Sequence, residues 1–445
     1  MASQLGFTRA DFPDDFSFGV ATSAYQIEGS SFGGCGPSHW DTFAAAPGNT
    51  KNAENGSVAC DHYNRYEEDL DLIAGANLDH YRFSVSWARV MPDGETVNPE
   101  GLDFYDRLTD AMLARGIKPM LTLHHWDMPA ALADKGGWRN REVASWFGDL
   151  TDHVVNRIGD RMWASGTFNE PWCITWLSHF HGAHAPGMRD VRATARAIHH
   201  LLLAHAQSMD VMRSRGMNNL GIYLNFEPAL PAAETEASNA AAARYHAYYN
   251  SCFLQPLMGR GYPDAMLEGI EPHLPDKWQN DMDAFAAPLD WLGINNYTRK
   301  LVDDDGSSIW PYFKEVEGPL TKTEMDWEVA PDSFGWLLDW VASETNGLPL
   351  YVTENGMAGP EQFSDDGGTC DDPERLSYFQ AYVGAMRRAI ANGAPVKGYT
   401  VWSLLDNYEW ALGYEKRFGI VHVDYDTLHR TPKASWHAWK AAMER

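Results

Sequence analysis

The sequence predicts a single-domain α/β fold, a (β/α)8 barrel. Three observations predict it: short apolar runs recur eight times, helix-like segments lie between them, and the runs end in polar or aromatic residues. Strands alternating with helices imply parallel β/α units. Eight units close into a barrel, whose working residues lie where strands end and βα loops begin. An open doubly wound sheet is the competing architecture, but no glycine-rich phosphate fingerprint follows the first run.

In order, residues 16–22 (FSFGVAT) form the first run and lead to Tyr25 and Gln26. Residues 80–83 form the second, which holds Arg82 and continues to Trp87. The third, 118–123, ends in His124, His125, Trp126 and Asp127, and the fourth, 163–168, ends in Asn169 and Glu170. The fifth, 220–224, reaches Asn225, and the sixth, 289–294, reaches Asn295, Asn296 and Tyr297. The seventh, 350–353, is apolar and β-branched, carries Glu354 at its end and is stopped by the turn signal Asn355-Gly356. The eighth, 396–401, ends in Trp402.

Between the runs, residues 66–74, 101–115, 141–158, 189–215, 234–249 and 375–391 mix charged and apolar residues at helical spacing. Residues 30–64 and 300–331 contain Gly, Pro and Asp and read as loops over the barrel mouth. No repeat of solenoid period and no low-complexity linker interrupts the chain, so one domain over 1–445 is expected.

Composition narrows the function. The 61 acidic and 35 basic side chains leave a net charge of −26, which repels phosphate backbones and anionic lipids, so neither nucleic acid nor membrane is an expected partner. The same excess suggests adaptation to salt. The five cysteines (Cys35, Cys60, Cys173, Cys252, Cys370) form no CxxC pair, which suits free thiols in a reducing compartment rather than zinc or a disulfide framework. The first ten residues lack an apolar signal-peptide core, and no run of about 18 apolar residues exists. A cytoplasmic protein is expected. Aromatics make up 13% of the chain, with 18 Trp, a composition compatible with clefts in which a sugar face stacks on indole.

Glu170 and Glu354 end two different strands. Paired carboxylates at a barrel mouth suit cleavage of a glycosidic bond, where one donates a proton to the leaving oxygen and the other acts on the opposite face of the sugar. Arg82 is a candidate to hold one of them ionised. A structural ion pair accounts equally well for any one of these residues, but poorly for the set.

Those residues sit in recognisable motifs. Thr167-Phe-Asn169-Glu170-Pro171 and Val352-Thr353-Glu354-Asn355-Gly356 resemble the two catalytic signatures of glycoside hydrolase family 1, the β-glucosidase family. The resemblance runs nearly end to end, through Phe16 to Gly29, Tyr81 to Trp87, His125 to Asp127, Gly182 to Gly187, Trp402 to Trp410 and Arg417 to Gly419. It implies a retaining β-glucosidase, without cofactor or metal, acting on small β-glucosides and oligosaccharides such as cellobiose. Glu354 would be the nucleophile and Glu170 the acid/base, with Arg82 and Tyr297 positioning Glu354 and Asn295 beside Glu170. Gln26, His125, Asn169 and Glu409 would bind the sugar hydroxyls, Trp402 would stack beneath the ring and Trp410 would donate its indole N–H, with Trp126 in the same group. Trp172, Cys173, Leu177, His184, Trp327 and Phe418 would line the entrance. Glu409 points to a neutral sugar, because a carboxylate there would repel a 6-phosphate. Glucose, galactose and fucose remain equal candidates.

His124, His179, His181, Asn296 and Tyr408 depart from the family pattern. With His125 and His184, those histidines raise a metal-dependent barrel hydrolase as the rival from another class. A non-catalytic sugar-binding protein is a second rival, disfavoured because both carboxylates are present. A transglycosylase would look identical in sequence, since it differs only in which acceptor reaches the intermediate. Trp87 and Trp163 read as core.

Overall fold

A computed structural model describes residues 4–307, 310–364 and 368–444. Eight parallel strands close into a barrel: β1 (Ser17–Ala21), β2 (His80–Ser84), β3 (Lys118–His124), β4 (Ala164–Asn169), β5 (Leu220–Asn225), β6 (Trp291–Asn295), β7 (Leu350–Asn355) and β8 (Val396–Trp402). They neighbour one another in sequence order, and β8 pairs with β1 to close the ring. The eight expected runs are these eight strands, within one or two residues at each end. The principal helices that follow them are α1 (His62–Gly75), α2 (Pro99–Ala114), α3 (Val143–Ile158), α4 (Val191–Ser214), α5 (Glu236–His246), α6 (Pro331–Glu344), α7 (Pro373–Ala391) and α8 (Ala434–Ala442).

Local chemistry starts and stops these elements. Asp190 caps α4, its Oδ1 accepting from the backbone N–H groups of Arg192 and Ala193. Proline opens α2, α6 and α7, where its missing N–H costs nothing. Helix α5 runs into a π-helical turn (Ala247–Ser251) where the sequence pattern suggested one continuous helix to residue 249, and a second π-helical turn (Cys173–Phe180) follows β4. Both turns border the barrel mouth, and π turns concentrate at functional sites.

The sequence pattern missed α6 and α8. In α6 the apolar stripe is blurred by Trp336, which is exposed on the opposite face, so no single 3.6 period stands out. Helix α8 is short, yet its Trp439 packs on the outer face of β1 and β8 against Phe7, Phe18, Phe379 and Tyr399. The 300–331 segment, expected to be irregular, contributes Lys300–Asp303 and Lys314–Val316 to a three-stranded sheet with Ala229–Pro231. Lys314–Val316 is exposed throughout, and Lys300–Asp303 has only two adjacent apolar residues, so neither strand shows an alternation to announce it.

The barrel is filled by side chains. At its base Met120, Ala164, Tyr223 and Trp291 pack together with Trp163 and Tyr351. A polar belt crosses the interior, with Ser17 Oγ 2.8 Å from His80 Nδ1 and His80 Nε2 2.8 Å from Thr400 Oγ1. Glycines make room for the large plugs: a Cβ on Gly166 would lie 2.3 Å from the Tyr223 ring, and one on Gly221 2.5 Å from the Trp291 ring. Trp87 is fully buried among core residues, as expected, while Trp163 is half-buried beside His80 and Lys118. Among the described residues no helix is long and apolar enough to cross a membrane.

Candidate active site

The C-terminal ends of the strands surround a cavity of about 460 Å³, bordered by both Glu170 and Glu354. Strict alternation would not aim the needed side chains inward. On β7 the pairing register shifts on both sides between Val352 and Glu354–Asn355, and neighbouring residues face the same centre: Thr353 Oγ1 donates to Asn295 Oδ1 (2.8 Å) while Glu354 meets Arg82 and Tyr297. On β4 the register shifts between Gly166 and Asn169, just before Glu170. Such irregularities re-aim a side chain at the rim of a barrel. Glu170 itself has φ +49°, and Trp126 and Trp410 also have positive φ. Left-handed backbone at three non-glycine residues around one cavity marks strain held by the surroundings.

Glu354 is enclosed by strong donors. Arg82 Nη1 reaches its Oε1 at 2.5 Å, and the Tyr297 hydroxyl donates to Oε2 at 2.5 Å. Arg82 is fixed in turn: Nη2 donates to Asn169 Oδ1 (2.6 Å), Nε to Thr122 Oγ1 (3.1 Å) and Nη1 also to the Thr353 carbonyl (3.2 Å). The Tyr223 ring lies beneath its guanidinium at 3.9 Å. Glu170 has only neutral donors: Asn295 Nδ2 to Oε1 (2.9 Å) and the Cys173 thiol to Oε2 (3.2 Å). Asn225 Nδ2 donates to Cys173 Sγ (3.8 Å) and to the Tyr249 hydroxyl (2.8 Å), extending this chain toward the outer wall.

Three carboxyl groups share the buried space with one arginine. Glu170 is raised to about 8, by burial first and by the Glu354 carboxylate second. Glu409 is likewise raised to about 8 by burial, then by Glu354 and Glu170. Burial raises Glu354 as well, with Arg82 and Tyr297 pulling the other way. Glu354 is therefore the member of the set that ionises first, and the coupled pair titrates as a unit.

Around the carboxyls, His125 Nε2 lies 3.0 Å from Asn169 Nδ2, and Trp126 donates its indole N–H to the Asn169 carbonyl (2.8 Å). His125 stacks with Trp402 and Trp410, and Trp126 packs on Trp410. Trp327 and Phe418 join Tyr297 on another side, and Trp172 lies against Tyr249. Cys173, Leu177 and His184 also border the cavity. Gln26 does not: it is buried behind Glu409, with Nε2 donating to Asn407 Oδ1, the Tyr408 carbonyl and, at 3.5 Å, Glu409 Oε2.

The histidines of the mouth do not converge. His124 is sealed among Trp87, Trp138, Phe147 and Phe168, His179 bonds the Ile174 carbonyl, His181 bonds the Tyr248 hydroxyl (2.7 Å), and His184 packs on Trp40 and Trp126. Burial pushes His125 well below the ordinary imidazole value, so it is a neutral hydrogen-bonding group. Among the described residues, the one His/Cys/Asp/Glu group close enough to hold a cation is Glu361, Cys370 and His422, none of which lines the cavity, and the Lys433 ammonium already pairs with Glu361.

Sequence reasoning named Asn225 as a strand end without giving it a role, and missed Thr122, Tyr223, Thr353 and the outer residues Glu227, Tyr245, Lys300 and Glu315. Strand alternation on β5 could have revealed Tyr223, which sits two before Asn225 on the face shared with the interior. Nothing local announces Lys300 and Glu315, which pair at 2.8 Å.

A closed parallel barrel with two differently furnished glutamates in an aromatic cleft defines the class: barrel enzymes that work with a carboxylate pair. Comparison with known proteins narrows it. Residues 8–445 match the model of glycosyl hydrolase family 1, and the chain belongs to that family. It is 44% identical over 435 residues to β-glucosidase A of Thermotoga maritima, covering 96% of this chain and 97% of that one. It is 43% identical to a 1,4-β-D-glucan glucohydrolase of Thermotoga neapolitana, with 96% and 97% covered. The solved T. maritima β-glucosidase in complex with deoxynojirimycin superposes with a TM-score of 0.94 at 43% identity, over 97% of this chain and 98% of that chain.

Proposed function

We propose that this protein is a retaining β-glucosidase that releases terminal β-D-glucosyl residues from small glycosides and oligosaccharides, cellobiose among them. The observation that carries the assignment of roles is the unequal furnishing of the two glutamates. Glu354 has a guanidinium and a phenol at 2.5 Å, whereas Glu170 has only an amide and a thiol. The first arrangement favours a carboxylate, the second a carboxylic acid.

The chemistry follows. Glu354 attacks the anomeric carbon while Glu170 protonates the departing oxygen, giving a covalent glycosyl-enzyme. The leaving group carries that proton away. Glu170, now a carboxylate, takes a proton from a water that attacks the anomeric carbon and frees Glu354. The Asn295 amide acts on both glutamates, which supports the short separation, roughly 5 to 5.5 Å, that retention requires. His125, Asn169, Glu409, Trp402 and Trp410 are the glycone-binding residues of this reading, with Gln26 holding Glu409 from behind; Trp126 supports Asn169, and Trp172, Trp327 and Phe418 belong to the aglycone side. Glu409, raised to about 8, enters as a neutral acid that can both donate to and accept from sugar hydroxyls. Five free cysteines, four of them buried, support a reducing, cytoplasmic setting.

The test is Glu354→Ala. Hydrolysis of nitrophenyl β-glucoside should fall by roughly 10⁴-fold or more, and added azide should restore turnover with the opposite anomeric configuration. Near-wild-type activity in the alanine variant would remove Glu354 from the nucleophile's role.

A further inference from the structure

The arginines of this acidic chain are mostly matched to carboxylates. Arg157 and Arg161, for example, divide Asp103, Asp106 and Asp110 between them. Among the described residues Arg107, Arg139, Arg189, Arg192 and Arg196 lack a carboxylate at ion-pair distance, and three of these five border one outer groove. It lies where the loop after β3 meets the first turns of α4, has a volume of about 610 Å³, and is bordered by Lys135, Arg139, Arg141, Arg192, Arg196 and His200.

Lys135 pairs with Glu95, and Arg141 with Asp281. Among the described residues, Arg139, Arg192 and Arg196 have neither a carboxylate at ion-pair distance nor a side-chain hydrogen bond, although Asp190 and Asp276 line the same groove. Asp190 is committed to capping α4. The Nε of Arg196 is buried without any partner. Arg192 and Arg196 stand four apart on one helix, where like charges repel. His200, buried behind the groove with Nδ1 on the Trp138 carbonyl, loses proton affinity to burial first and then to His199, Arg141 and Arg196. In a chain with 61 acidic side chains, leaving these cations unmatched is a local exception.

We propose that this groove binds a compact phosphate-bearing anion. Guanidinium forks match the paired oxygens of phosphate, and those of Arg139, Arg192 and Arg196 come from two elements on either side of one concavity. The volume admits two phosphates, or one phosphate with an attached sugar. Long polyanions are disfavoured by the chain as a whole, whose net charge is −26. No residue is shared between this groove and the catalytic cavity, so the site stands apart from the glycosidase reading.

The test is calorimetric titration of the full chain with sodium pyrophosphate and, separately, glucose 6-phosphate at matched ionic strength. Saturable one-to-one binding is expected, weakened roughly tenfold or more in Arg192→Gln/Arg196→Gln. Arg107→Gln, which removes an exposed, unpaired arginine outside the groove, should bind like the wild type. Pyrophosphate binding alone would identify a bare phosphate site, and binding of both a site that also takes sugar esters; either supports the proposal. Absence of saturable heat with both ligands, or equal affinity in the double variant, overturns it. Unchanged hydrolysis of nitrophenyl β-glucoside by the double variant confirms that it is folded.

Discussion

A buried, protonated glutamate is a cost in stability, and Glu170 carries it. Its carboxyl stays protonated up to about 8, whereas an unfolded glutamate titrates near about 4.3. Below the lower value both states hold the proton and nothing is lost. As pH rises between the two values the unfolded chain releases a proton that the folded chain keeps, so stability falls, and above about 8 the full penalty applies. Glu170→Gln removes the titration. We expect the variant to be more stable than the wild type by about 1 to 3 kcal/mol at pH 7, with the gain vanishing near pH 4, as measured by urea unfolding at both pH values. A pH-independent difference would contradict the neutral acid. The same variant should lose activity far more on alkyl glucosides than on nitrophenyl glucosides, since only poor leaving groups need the proton. The two glutamates were legible from their motifs. Cys173 was legible only as a residue of the entrance, because its thiol meets Glu170 through a π-helical turn that no residue pattern announces.

At the scale of elements, the arginine that holds Glu354 depends on a glycine two strands away. Arg82 from β2 rests on the Tyr223 ring from β5, and that ring occupies the space where a Cβ on Gly166 of β4 would lie, 2.3 Å from ring carbon. Gly166→Ala must displace Tyr223, and with it the floor beneath Arg82. We predict a loss of about 1 to 3 kcal/mol in stability from overpacking, together with a fall in kcat larger than any change in KM, checked by denaturation and steady-state kinetics. A variant of normal kcat would show that Arg82 does not need that floor. The eight strands were visible because each is a compact apolar run between turn signals. The bulges on β4 and β7 were not, since a register shift exists only against a neighbouring strand. Helix α6 escaped for a related reason: its two tryptophans stay at least partly exposed and pack on His246 and Phe226, contacts that its own period does not show.

For the molecule as a whole, a net charge of −26 opposes the compact state through self-repulsion. Screening should relieve it. Raising NaCl from about 0.05 to 0.5 M is expected to increase Tm by about 1 to 3 °C in a thermal melt. A falling Tm would mean that the surface ion pairs, such as Arg141 with Asp281, outweigh the repulsion. Activity retained in molar NaCl is the corresponding expectation for catalysis, because the working charges are buried and poorly screened.

Local patterns were enough to specify the barrel, its eight strand ends and the chemistry gathered there, since apolar runs, turn signals and two glutamate motifs can all be read along the chain. Which glutamate carries the charge is settled only in the folded molecule. That choice rests on Arg82, 272 residues from Glu354 along the chain, and on Tyr297, both brought to one carboxylate and withheld from the other. It rests equally on burial, which makes one guanidinium serve three carboxyl groups and leaves Glu170 and Glu409 protonated. Proton affinity in a closed cavity is set by distance and desolvation, and neither exists until the chain has folded.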